Sequence, residues 1–93
     1  MPAYEVAHIR EQGQDMLLFP LASAFGQRNQ SDQGAILSEL ERRAHAAGLA
    51  GRAAAVWESG GRTHTLGPRN WSGFLRSIDL RFVRMNVNRE IKW

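Results

Sequence analysis

The sequence predicts one α+β domain over residues 1–93, in the order ββαββαβ, with two helices packed on one face of an antiparallel sheet. Three observations predict it. Two pairs of β-rich segments are each joined by a glycine turn, two stretches carry apolar residues at three- and four-residue spacing, and the last segment alternates apolar with polar residues. Ninety-three residues leave room for a single core, and 43% hydrophobic with 23% charged residues suits a folded chain.

The first strand is read over residues 4–10, where Tyr4, Val6 and Ile9 favour extended backbone. Residues 11–15 form a turn in which Gly13 can take positive φ. Met16-Leu17-Leu18-Phe19 is an unbroken apolar run, as in a strand buried on both faces, and Pro20 belongs near its end. Residues 22–30 have no clear period and read as a loop. Helix 1 follows, capped by Ser31 or Asp32, with Ile36, Leu37, Leu40, Ala44 and Ala47 in one stripe and Gly48 and Gly51 at its end. A second hairpin spans residues 53–66 around Gly60-Gly61, and Gly67-Pro68 turns the chain again. Asn70 caps a short helix 2 whose inner side carries Trp71, Phe74, Leu75 and Ile78. Residues 80–93 read as a long final strand. In it Val83, Met85, Val87, Ile91 and Trp93 face inward, with a bulge near Phe82-Val83.

The absence of cysteine excludes disulfides, a thiol nucleophile and thiolate metal sites. No apolar run reaches the roughly 18 residues of a membrane helix. Glu5 and His8 interrupt what a signal peptide would keep apolar, so a soluble cytoplasmic chain with no membrane partner is expected. His8, His45 and His64 lack zinc-ligand spacing, and no motif for a cofactor or phosphate-cradling loop is present; no metal, cofactor or catalytic residue is assigned.

Charge is distributed unevenly. Residues 1–51 carry net −2 and residues 52–93 net +5, and eleven of the twelve basic residues are arginine. Host base composition alone produces such an arginine bias, but the guanidinium fork also suits phosphates and carboxylates. In the second half arginines interleave with aromatics: Trp57, Arg62, Arg69, Trp71, Arg76, Arg81, Phe82, Arg84, Arg89, Lys92 and Trp93. Phosphates attract cations, and unstacked bases attract aromatic planes, so this composition suits RNA or single-stranded DNA. The same aromatics also fit the core, since Trp71 and Phe74 sit on the stripe of helix 2. The expectation is a non-enzymatic binding domain that contacts nucleic-acid backbone through a polar sheet face. Arg62, Arg69, Arg81, Arg84, Asn86, Asn88, Lys92 and Trp93 are its candidate residues.

Two other functions fit. A protein-interaction module, including a homodimer, would use the last strand as an edge or bury Trp93. A small metal-independent ribonuclease would need a general base, a general acid and an arginine, and Glu58, Arg62, His64 and Arg69 lie in or beside one hairpin.

Overall fold

Strands β1 (Ala3–Glu11) and β2 (Gln14–Pro20) form the first hairpin of a computed structural model that describes residues 3–92. Gln12 and Gly13 make its two-residue turn, both with positive φ (52° and 78°), the conformation that matches the twist of paired strands. Every side chain from Met16 to Phe19 is buried, and Pro20 ends the strand. The following segment is not featureless. A 3-10 turn at Ser23–Gln27 drives Phe25 into the core, edge-on to Trp57 with ring centres 4.9 Å apart.

Helix α1 (Gln30–Ala46) is capped two to three residues earlier than expected. Asn29 is the cap, its side chain accepting a hydrogen bond from the Asp32 amide at 2.8 Å. Leu40 and Ala44 are buried and Ile36 and Leu37 half-buried, so the predicted stripe faces the sheet from Ile36 to Ala44, while Ala47 is exposed at the C-cap. At the far end the Leu49 amide donates to Ala44 and the Gly48 amide to His45, with Gly48 at φ +89° closing the helix.

β3 (Arg52–Ser59) and β4 (Arg62–Leu66) form the second hairpin around Gly60-Gly61, both glycines at positive φ. A 3-10 turn (Arg69–Trp71) leads into α2 (Ser72–Arg76), where Trp71 and Leu75 are buried and Phe74 and Ile78 half-buried. No side chain caps this segment, so Asn70 does not have the capping role read for it. The greatest departure comes next. Residues expected in a long strand form α3 (Leu80–Met85), with β5 limited to Arg89–Lys92. Asp79 starts α3 by accepting from the Phe82 amide at 2.8 Å, and Val83 is its buried residue. The expected bulge falls inside this helix and does not occur. Ile91 alone fills the inward position of β5.

The sheet order is β4-β3-β2-β1-β5. It is mixed rather than wholly antiparallel, because β2 and β3 run parallel with Leu17 opposite Ala53 and Phe19 opposite Ala55. Parallel neighbours need a crossover, and α1 supplies it. The helices also do not share a face. Leu17, Phe19, Ala53, Ala55 and Trp57 pack with α1, while Met16, Leu18, Ala54 and Val56 pack with Trp71, Leu75 and Val83. Strands β2 and β3 are apolar on both sides, so each side must be covered, and the return from β4 to β5 carries α2 and α3 across the second one. The expected element order holds, with the second helical segment split in two. No helix among the described residues is long and apolar enough to cross a membrane.

Candidate functional site

Covering both faces of the sheet removes the open polar platform expected from the sequence. Its supposed row of residues is distributed among different tasks. Asn86 ends α3, donating from Nδ2 to the Phe82 carbonyl at 2.8 Å. Asn88 pairs with the backbone of His8 in both directions, Oδ1 accepting from its amide and Nδ2 donating to its carbonyl, each at 2.9 Å. This side chain therefore imitates a strand residue and tethers the start of β5 to β1. Lys92 lies on β5 with its ammonium 3.3 Å from the Glu90 carboxylate. Arg84 belongs to α3, and Trp93 falls outside the described residues.

Arg62 is also separated from the others. It shares strand parity with His64, which stacks on Trp57 at 5.8 Å and 17°, and Trp57 belongs to the core beneath α1. Arg62 thus faces the α1 side of edge strand β4. Glu58 follows Trp57 and faces the opposite side, away from His64. The carboxylate and imidazole of the suggested ribonuclease set therefore stand on different faces of one hairpin.

The fold places two pairs of arginines on the segment that covers the second face of the sheet. Arg69 and Arg76 line one cavity of about 300 Å³ with Thr65 and Ser72. They are seven residues apart, two helical turns, which aligns them on one side of the 3-10 turn and α2. Arg81 and Arg84 are exposed one turn apart on α3, next to Met85, which is 73% exposed. Arg76 was visible in the interleaved pattern but absent from the candidate set; its spacing from Arg69 is the signal that would have added it.

Glu11 and Glu58 face this side of the sheet, but neither is within ion-pair distance of these arginines. Residues 69–88 contain four arginines and one acid, Asp79, whose carboxylate is engaged with the Phe82 amide. Among the described residues none of the four arginines has a carboxylate within ion-pair distance. The α1 layer behaves differently. Glu39 holds Arg42 at 2.6 Å and Arg43 at 3.0 Å, and Glu41 lies 3.5 Å from Arg52 while accepting from the Ala53 amide. The Arg42 guanidinium, followed by that of Arg43, holds the Glu39 carboxyl below its ordinary range. Three arginines near α1 thus have carboxylate partners, whereas the four of residues 69–88 have none among the described residues, Arg76 Nε instead donating to the Ser72 carbonyl at 3.4 Å.

The histidines are dispersed over β1, α1 and β4. His8 Nε2 is buried 3.7 Å from Asp15, too far for a hydrogen bond, and His45 Nε2 donates to the Gly51 carbonyl at 2.6 Å. Among the described residues no three histidines or carboxylates are grouped to hold a metal ion. No protein-family model, curated protein or solved structure matches this chain.

Proposed function

We propose that this chain is a non-enzymatic nucleic-acid-binding domain that holds the phosphates of RNA or single-stranded DNA on its α2–α3 layer. One observation carries the reading: Arg69, Arg76, Arg81 and Arg84 lie on the segment that covers one face of the sheet with no carboxylate partner among the described residues, while the one acid of that segment caps α3. Guanidinium groups without carboxylate partners keep their full charge for a phosphate and need not break an existing pair to bind one.

Four phosphate contacts on a single strand predict a slope of about −3 in log affinity against log salt, a loss of roughly fiftyfold between about 50 and 200 mM. Anisotropy titrations of a labelled RNA at several salt concentrations measure this directly. Replacing Arg81 and Arg84 together by glutamine should flatten the slope by about 1.4 and weaken all sequences alike, since phosphate contacts carry no base information. Both side chains are exposed, so far-ultraviolet circular dichroism should be unchanged. Absence of binding at low salt, or a slope indifferent to the double variant, removes the proposal.

A protein partner is the second reading, favoured by the position of β5 at the sheet edge, where one side of its backbone faces no strand. Charges at Arg89, Glu90 and Lys92 blunt that edge. A fully overlapped antiparallel pair of β5 strands would set Arg89 against Lys92, so a heterologous acidic strand suits it better than a second copy. A solution mass of twice the chain would favour self-pairing instead.

A further inference from the structure

On the other side of α2 from Arg69 and Arg76 lies the larger of two cavities that flank this helix, about 470 Å³ between α2 and the β1–β2 turn. Its walls are unlike those of its neighbour. Glu11, Gln12 and Gln14 line it from the hairpin, and Asn70, Trp71 and Phe74 from the helical side. The volume lies within the usual range for small-molecule sites. Apolar and aromatic surface is combined with a few hydrogen-bonding groups, which is the composition that holds a planar heterocycle.

The chemistry of those groups is specific. Glu11 is half-buried and has no cationic partner among the described residues, so its two oxygens are available as acceptors. Trp71 Nε1 donates to Gln14 Oε1 at 2.8 Å, which consumes the acceptor end of that amide and leaves its NH₂ as donor. Gln12 holds a φ of +52° in the turn, a conformation unusual for a side-chain-bearing residue, and it lines the same cavity. Phe74 is half-buried, supported edge-on by Phe82 at 6.2 Å. The site therefore offers a carboxylate acceptor, amide donors and an aromatic wall.

We propose that this cavity is a base-binding subsite and that its preferred occupant is guanine. Guanine presents N1–H and the N2 amino group side by side, two donors that a carboxylate accepts together, while its O6 and N7 accept from amides. Uracil offers one N–H between two carbonyl oxygens, and these repel Glu11. The inference rests on the phosphate-binding reading and extends it. Asn70 and Ser77 line this cavity, and the residues just before them, Arg69 and Arg76, line the other. A strand crossing α2 thus meets arginine on one side and the base cleft on the other, across a helix about 10–12 Å wide.

The test uses two labelled RNA decamers at low salt, one all uridine and one with a single central guanosine. The wild-type chain should bind the guanosine decamer about tenfold more tightly, the discrimination one bidentate base contact supplies. Glu11→Gln should bring that preference within about twofold and bind the uridine decamer no more weakly, because it removes a negative charge. Equal, salt-sensitive binding of both decamers by the wild type overturns the guanine subsite and leaves the phosphate reading standing. Preference that survives in Glu11→Gln overturns it too. If neither decamer binds, the phosphate reading fails and the subsite falls with it.

Discussion

Replacing Phe19 by alanine is expected to lower the unfolding free energy by about 3–5 kcal/mol, the cost of a large cavity in a closed core. Phe19 is fully buried in β2, the middle strand of five, with α1 over it and β1 and β3 on either side. Strands hydrogen-bonded to two neighbours have little freedom to move inward, so the space left by the ring stays open. Domains of this size have roughly 5–15 kcal/mol in total, so one substitution should consume a large share. Urea titration should give a much lower midpoint with an unchanged slope. A loss under about 1 kcal/mol would mean that the face beneath α1 can collapse, contrary to the packing described.

The second large effect is expected at Gly51, between α1 and β3. Its φ is +116°, and a Cβ added there would lie 2.4 Å from the backbone oxygen of Asp15. Backbone in β2 cannot swing aside as a flexible side chain would, and the carbonyl of Gly51 is also bonded by His45. Gly51→Ala should therefore cost roughly 2–4 kcal/mol through strain and displacement together. Gly13 is the internal comparison: its φ is also positive, but a Cβ there meets nothing within 4 Å. Gly13→Ala should cost only about 1 kcal/mol. Equal melting temperatures for the two variants would refute the close approach at Gly51.

Much of this fold was legible in local pattern. The hairpin turns announced themselves through glycine, and the stripe from Ile36 to Ala44 has only one face to bury. Residues 80–88 were harder for a physical reason. Val83, Met85 and Val87 alternate at period two, yet Leu80, Val83 and Val87 also recur at three and four, and six residues are too few to separate the periods. Asp79 was the discriminating sign, a capping carboxylate three residues before the amide it accepts from. The direction of β3 relative to β2 depends on where α1 delivers the chain, which no short window contains. The same holds for the arginine layer. Arg81 and Arg84 lie one turn apart because α3 is helical, and α2 and α3 pack on the same side of the sheet. Asn88 read as a polar outward residue because a side chain that replaces a strand's own hydrogen bonds leaves no periodic trace.

The pairing of Tyr4 with Ile91 joins segments from opposite ends of the described chain. Bringing them together closes nearly the longest loop available, and that entropy is lost before any contact between them is gained. β5 is therefore expected to dock late in folding, after α1 has set β2 beside β3. Until it does, the outer margin of β1 exposes unsatisfied amides and carbonyls, the kind of template on which nascent chains associate wrongly. The two-way clasp between Asn88 and His8 sits where that delayed closure begins, and it holds the start of β5 against β1 once the strand has docked.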